Sequence, residues 1–308
     1  MLVFAIIVGL LLVIYVLPCM VFYIILFGRQ KERTAAESNL LGNYYEPWRE
    51  QMLAAEQALA GTGKRITVTA SDGATLCGDL HSRGYRRLII MFHGYMTAPT
   101  KNFGVSALRF LAGGDDVLLV HQRAHGPSGG RHTALGLLEQ SDVPVWIGWA
   151  DGLDVYDSVI LCGVSMGAAS LAYAASGIRS DKVRAMILDS SYESPWKQFR
   201  HQAKKWHIPS LIMLPLLNLT TMAFLRVNLR TTVHSSLQNA RVPIVFLHGT
   251  ADTTAAIEQG QANYRSTSSE KLFIPIEGAE HTLSLIAGIE QIWEPLTAFL
   301  NKAQQPNG

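Results

Sequence analysis

The chain carries the stretch Val159-Ile160-Leu161-Cys162-Gly163-Val164-Ser165-Met166-Gly167, an apolar run that ends in a serine with a glycine two positions away on each side. The residues that follow, Ala168-Ala169-Ser170-Leu171-Ala172, are rich in helix formers. A strand that turns sharply into a helix lifts the side chain at the turn clear of the backbone, and glycines allow the close approach that the turn needs. The stretch therefore predicts that Ser165 is a nucleophile at the end of a buried strand.

Two later loops supply the partners that a serine nucleophile requires. His248-Gly249-Thr250-Ala251-Asp252 follows one apolar run, and Gly278-Ala279-Glu280-His281 follows the next. A serine hydroxyl is a weak nucleophile, so a base must take its proton and an acid must orient that base. We predict that His281 is the base and Asp252 the acid. Asp189, at the end of another predicted strand, is an alternative acid.

A tetrahedral intermediate also needs N–H donors directed at its oxyanion. The residue after the serine, Met166, offers one backbone N–H. The loop His93-Gly94-Tyr95-Met96 follows the apolar run from Leu88 to Phe92 and lies where the second donor is expected. We predict that the Tyr95 amide is this donor, with the Tyr95 side chain at the rim of the pocket.

Apolar runs alternate with helical stretches along most of the chain, which predicts a mostly parallel sheet with helices on both faces. From about Arg65 to Leu300, these motifs resemble the α/β-hydrolase superfamily, particularly its Bem46-like or peptidase-like members. The resemblance implies an eight-stranded sheet, a triad in the order Ser165, Asp252, His281, and no cofactor or metal.

The sequence departs from the superfamily pattern in two loops. Ala124-His125 replaces the commoner residues of the loop from Gln122 to Gly130, so His125 either contacts substrate or has a structural role in the loop. After Asp252, Thr253-Thr254-Ala255 stands where many relatives have Val-Pro, which weakens the motif but leaves the acid in place.

The N-terminal segment from Leu2 to Phe27 contains no charged residue. As a helix it would be about 39 Å long, more than the roughly 30 Å of bilayer hydrocarbon. It predicts a membrane anchor over residues 1–28, with a cleaved signal peptide as the rival interpretation. Arg29, Lys31 and Arg33 follow directly, which favours a cytoplasmic C-terminal domain. A helical juxtamembrane arm is expected over 29–63, and the hydrolase domain over 64–304.

One stretch, at about 192–240, interrupts the alternation of strands and helices and predicts a helical cap over the strand ends. Between Tyr192 and Ser235 it holds one acid and six basic residues: Lys197, Arg200, Lys204, Lys205, Arg226 and Arg230. Such a cap either rests on anionic lipid or packs its apolar side on the sheet with its charges in water.

Composition excludes several other classes of protein. The net charge of +2 is too small for a nucleic-acid partner, and the three cysteines show no CxxC spacing for a disulfide framework or zinc site. No metalloprotease, phosphate-loop or EF-hand motif is present.

The sequence therefore predicts a membrane-anchored serine hydrolase that cleaves an ester, thioester or amide bond, with a lipid-like or acylated substrate. The alternatives are an aminopeptidase or acyltransferase on the same fold and a catalytically silent interaction protein, since a fold does not dictate activity.

Overall fold

A single sheet of eight strands forms the centre of the computed structural model, which describes residues 16–40, 43–207 and 210–303. The spatial order is β1-β2-β4-β3-β5-β6-β7-β8. β2 runs antiparallel to β1 and β4, and all later neighbours pair in parallel. The predicted eight-stranded, mostly parallel sheet is thus confirmed. The strands are β1 (Lys64–Thr69), β2 (Thr75–His81), β3 (Arg87–Phe92), β4 (Asp116–His121), β5 (Ser158–Val164), β6 (Val183–Asp189), β7 (Ile244–Gly249) and β8 (Lys271–Ile276).

The central strands are apolar at successive positions because both faces of the sheet are covered. On β3, Leu88, Ile90 and Phe92 pack into the core on one face, while Ile89 and Met91 pack into the core on the other. This follows from the two-residue period of a strand. Burying each such side chain contributes about 1.5–3 kcal/mol to the stability of the fold.

Ten α-helices surround the sheet in the described part of the chain. They are α1 (Leu17–Phe27), α2 (Arg49–Leu59), α3 (Pro99–Ala112), α4 (Val143–Asp151), α5 (Met166–Ala174), α6 (Pro195–Lys205), α7 (Ser210–Leu225), α8 (His234–Gln238), α9 (Ile257–Ser266) and α10 (Ile289–Ala303). Three of them, α6, α7 and α8, lie between β6 and β7, in the region where the sequence suggests a cap.

The helix α1 is the described portion of the segment for which a membrane anchor is predicted. One of its faces, with Cys19, Tyr23 and Phe27, is buried against the domain. The Tyr23 ring lies 5.7 Å from the Phe224 ring of α7. Residues 1–15 lie outside the described residues. Within 16–40, 43–207 and 210–303, no helix combines the length and the apolar character that a membrane crossing requires.

The chain after α1 is held against the loops at the carboxyl ends of β3 and β4. The Gln30 amide donates to the Ala124 carbonyl at 2.7 Å, and the Ala98 amide donates to the Arg33 carbonyl at 2.9 Å. Farther on, α2 packs on α3, where the absent side chain of Gly104 leaves room for Ala55. The arm therefore forms part of the wall around these loops.

Candidate active site

Ser165 occupies the turn between β5 and α5 with φ +52° and ψ −111°, a backbone conformation that a residue with a side chain rarely adopts. The turn is fixed by close backbone approaches. A Cβ on Gly167 would overlap the carbonyl oxygen of Phe92, and a Cβ on Gly163 would overlap the backbone of the next turn of the chain. The Ser165 amide also donates to the Asp189 carbonyl at 2.9 Å. The two glycines of the motif are therefore required by space, as the sequence predicts.

His281 and Asp252 lie beside Ser165 and form a continuous series of hydrogen bonds. The Nε2 atom of His281 is 2.9 Å from the Ser165 hydroxyl oxygen, and Nδ1 is 2.7 Å from an oxygen of Asp252. These are the distances at which an imidazole can accept the serine proton while its other nitrogen donates to a carboxylate. The structure thus brings together the three side chains predicted from separate loops.

The Asp252 carboxylate is held in its ionised form by its surroundings. Burial alone would raise its pKa, but His281 and His248 together hold the pKa of this carboxyl well below its usual range. Its other oxygen accepts the amides of Thr254 and Ala255 at 2.8 and 2.7 Å. An anchored carboxylate can fix the orientation of the histidine ring.

Asp189, the alternative acid, is differently placed. It is fully buried, and burial raises the pKa of its carboxyl to about 6. One of its oxygens accepts from the Ser190 hydroxyl at 3.0 Å. Among the described residues, the carboxylate that hydrogen-bonds to His281 is that of Asp252. The geometry therefore favours Asp252 over Asp189 as the acid.

The two residues whose amides are predicted to bind an oxyanion, Tyr95 and Met166, both line the cavity above Ser165. Among the described residues, neither the Tyr95 nor the Met166 N–H has a hydrogen-bond acceptor. The loop that carries Tyr95 is fixed by Asn102, whose side-chain oxygen accepts the Gly94 amide at 2.8 Å and the Thr97 hydroxyl at 2.6 Å. One amide lies on a loop held in place by hydrogen bonds and the other at the first residue of a helix. Two such N–H groups can donate hydrogen bonds to an oxyanion.

His125 is not among the residues that line the cavity, so of its two interpretations the structure favours the structural role in the loop. Its ring is fully buried, with Nδ1 2.9 Å from the Arg123 carbonyl and Nε2 accepting the Met96 amide at 3.3 Å. His93 is buried beside it and also binds backbone groups. Both histidines hold the loop that presents the Tyr95 amide.

The cavity above Ser165 has a volume of about 270 Å³ and is walled by distant parts of the chain. Leu26 comes from α1, Tyr44 and Tyr45 from the arm, and Phe199 and Trp206 from the region between β6 and β7. The Tyr45 hydroxyl lies 2.5 Å from that of Thr282, the neighbour of His281. These two aromatic residues of the arm therefore pack against the hydrolase domain.

One residue of the cavity wall belongs to none of the sequence motifs. Lys101, on α3, borders the same cavity as Ser165 although its side chain is only 2% exposed. The sequence does place Lys101 two residues after the start of the helix that follows the Tyr95 loop. Because that loop is expected at the site, this position could have indicated a residue near the cavity.

Comparison with known proteins gives one sequence relative and many structural ones. No model of a known protein family matches the chain. Over 201 residues the chain is 26% identical to the uncharacterized protein YqkD of Bacillus subtilis (strain 168), a match that covers 64% of this chain. The match spans 65% of the length of that relative.

Three solved structures illustrate the structural similarity. The Pyrococcus furiosus esterase Pf2001 matches with a TM-score of 0.64 at 21% identity, over 80% of this chain and 93% of that one. The α/β-hydrolase GrgF of a Penicillium species matches with a TM-score of 0.60 at 17% identity, over 78% and 98%. Est1E of Butyrivibrio proteoclasticus, solved with ferulic acid, matches with a TM-score of 0.60 at 18% identity, over 77% and 99%. At these identities the similarity establishes a shared fold.

Proposed function

We propose that this chain, which has the α/β-hydrolase fold, is a serine hydrolase that cleaves ester bonds through an acyl-enzyme on Ser165. The observation that carries the proposal is the hydrogen-bonded series from Asp252 through His281 to Ser165, which opens onto a cavity with two free amides. Thioesters and amides are accessible to the same chemistry, but the aliphatic and aromatic walls favour an acyl substrate over a peptide.

The steps follow from the positions of these groups. His281 Nε2 takes the hydroxyl proton as the Ser165 oxygen attacks the carbonyl carbon, and the Tyr95 and Met166 amides donate to the resulting oxyanion. The intermediate collapses, the protonated histidine gives its proton to the leaving alcohol, and the acyl group remains on Ser165. Water, deprotonated by His281, then attacks the ester and releases the acid. Asp252 keeps the imidazole oriented and stabilises its charged form in both halves.

The lipid-like nature of the substrate and the attachment to a membrane are supported by surface features near the cavity. The helix α7 exposes Leu211, Leu219 and Phe224, with Leu211 88% exposed. The helix α1, packed on α7, exposes Leu17, Ile24 and Ile25, and its Leu26 lines the cavity. Adjoining exposed apolar helices of this kind are typical of proteins that rest in a bilayer interface. A substrate dissolved in that interface would lie beside the cavity.

A fluorophosphonate probe and ester hydrolysis together test the mechanism. The wild-type chain should be labelled and should hydrolyse short para-nitrophenyl esters, while Ser165→Ala should lose labelling and at least about 10³-fold of kcat/KM. Ser170→Ala is the matched control, because within the described part of the chain the hydroxyl of this buried serine on α5 bonds to the Met166 carbonyl and the Gln122 side chain and not to the triad. Equal labelling of wild type and Ser165→Ala would overturn the proposal. A folded wild-type chain that neither reacts nor hydrolyses would instead indicate a silent hydrolase fold.

A further inference from the structure

Lys101 is a buried cation on the wall of the active-site cavity. Its side chain is 2% exposed, and it borders the same cavity as Ser165 and His281. Its ammonium lies 4.7 Å from the centre of the Tyr45 ring, a cation–π contact. Within residues 16–40, 43–207 and 210–303, no carboxylate oxygen lies within 4 Å of this nitrogen. Lys101 therefore enters the cavity wall as a charge without a direct counter-ion.

Two charged groups act on the Lys101 ammonium, and among the described residues neither forms an ion pair with it. Arg33 disfavours the positive charge and Glu56 favours it. Glu56 is already engaged, since its Oε1 accepts the Ala35 amide at 3.0 Å and the Thr100 hydroxyl at 3.1 Å. Burial, with Arg33 in support, lowers the pKa of Lys101 to about 8. The ammonium is thus mostly protonated at neutral pH.

An ammonium on a largely buried side chain loses part of its hydration, and among the described residues no ion pair offsets that loss. Such a group is retained at a site when an arriving ligand supplies the missing negative charge. The Tyr45 ring holds the ammonium in place, and the Tyr45 hydroxyl is itself fixed by Thr282 next to His281. The position of the cation is therefore linked to the position of the catalytic base.

We propose that Lys101 binds an anionic group, a carboxylate or a phosphate, on the ester that Ser165 cleaves. This inference rests on the proposed function and adds the substrate class: an ester that carries a negative charge on its acyl chain or on its leaving alcohol. The cavity of about 270 Å³ limits the part of the substrate between the carbonyl and the anion to a short chain.

Two pairs of esters test this, each differing only in charge. The acyl pair is para-nitrophenyl adipate with a free carboxylate and its methyl ester; the alcohol pair is glycerol phosphate monobutyrate and glycerol monobutyrate. In the wild type, kcat/KM for the charged member of at least one pair should exceed that for the neutral member. Lys101→Met should lower that ratio by about 30-fold or more, because it removes a buried charge partner of the substrate. Exposed Lys64→Met is the matched control and should leave the ratio unchanged.

The ratio of kcat/KM for the charged ester to that for the neutral ester reports the recognition of charge. A change in the shape of the cavity would alter kcat/KM for both members of a pair and leave the ratio unchanged. In the wild type it should also fall as the pH rises through about 8, where Lys101 loses its proton, and in Lys101→Met it should show no such fall. Hydrolysis of neutral esters with no charge preference, or a preference that Lys101→Met retains, would overturn the inference and leave the proposed function standing.

Binding gives a second readout if the chain proves inactive. Calorimetry on Ser165→Ala with monomethyl adipate and dimethyl adipate measures anion recognition without turnover. Tighter binding of the monoanion, lost in Ser165→Ala/Lys101→Met, supports the role of Lys101 even if no ester is hydrolysed. Equal or absent binding of the two compounds in an inactive chain would contradict it.

Discussion

At the scale of single residues, two buried aspartates near His281 have opposite properties. The Asp252 carboxylate accepts hydrogen bonds from two backbone amides and from His281, and it lies 3.4 Å from Nε2 of His248. These contacts favour its negative charge. Asp189 is buried with an oxygen that lacks a partner among the described residues, and burial raises its pKa to about 6. A carboxylate that orients a catalytic histidine must contact the ring, and it acts best where its surroundings stabilise its charge. Asp252 meets both conditions, because it hydrogen-bonds to His281 and its contacts favour the ionised form, whereas burial disfavours the charge on Asp189.

Replacing each aspartate by asparagine separates their roles. Asp252→Asn should lower kcat by about 10³- to 10⁴-fold, because the amide no longer selects the ring tautomer that accepts the serine proton. Asp189→Asn should lower kcat less than about tenfold, because the carboxylate that hydrogen-bonds to His281 is that of Asp252, and the amide removes a charge that burial disfavours. Steady-state kinetics on a neutral ester measures both. A loss of similar size in Asp189→Asn would contradict the assignment of Asp252.

The raised pKa of Asp189 also predicts how the stability of the fold depends on pH. The folded-state pKa of Asp189 is raised from 3.8 to about 6, so the folded state binds a proton more tightly than the unfolded chain. Wild-type stability contributed by this group is present below pH 3.8 and is lost as the pH rises through about 6. Thermal unfolding of Asp189→Asn should therefore gain most over wild type above that pH, and least near pH 4.

The sequence predicts the residues that belong to a motif, but it gives no sign of those that reach the cavity from distant helices. Ser165, Asp252 and His281 each stand at the end of an apolar run, and parallel strands bring such ends to one edge of a sheet. Lys101, Tyr45 and Leu26 reach the cavity through packing of distant helices, which leaves no fixed spacing along the chain. For His125, both interpretations were open until its ring was seen to bind loop backbone.

At the scale of elements, the mostly parallel sheet predicted from the alternation of strands and helices is confirmed, whereas the start of the last helix does not follow from the sequence pattern. Apolar residues recur from Leu283 to Leu300, but α10 begins only at Ile289. Leu283, Leu285 and Ile286 are buried in a looped segment that packs under the sheet edge. Their apolar character therefore reflects burial without a helical repeat, which periodicity cannot distinguish over so short a stretch.

The turn between β5 and α5 depends on the absence of a side chain at Gly167. Gly167→Ala should destabilise the fold by about 3 kcal/mol or more, since its Cβ would overlap the Phe92 carbonyl and backbone would have to move. Gly148→Ala, at an exposed position of α4 with open space for a Cβ, is the control and should stabilise by about 0.5–1 kcal/mol. Urea unfolding measures both changes. A Gly167→Ala variant of wild-type stability would show that the turn can open.

At the scale of the whole molecule, the carboxyl edge of the sheet carries both the cavity and the exposed apolar helices α1 and α7. Val155, another exposed apolar residue, lies in the loop that leads into β5, at the opposite edge. The three native cysteines are free and buried, so a cysteine introduced on the surface can be labelled selectively. These facts allow the proposed contact with a bilayer to be measured at chosen positions of the full chain.

An environment-sensitive fluorophore on Leu211→Cys should shift to the blue when phosphatidylserine-containing vesicles are added, because α7 would enter the interface. The same fluorophore on Val155→Cys should not shift. This comparison works whether or not residues 1–15 hold the chain on the vesicle, since it reports which face meets lipid. Shifts of equal size at both positions, or a shift at Val155→Cys alone, would exclude the proposed orientation.

The contact between Tyr95 and the end of α1 has a practical consequence for studies of this protein. The Tyr95 hydroxyl donates to the Leu26 carbonyl at 3.0 Å, and the Phe27 carbonyl accepts the Thr133 amide at 2.9 Å. A chain shortened to start after Phe27, a common step to ease purification, would lose one wall of the cavity and a support of the loop that carries an oxyanion amide. Kinetic constants measured on such a truncated protein would describe a more open site with a less constrained loop.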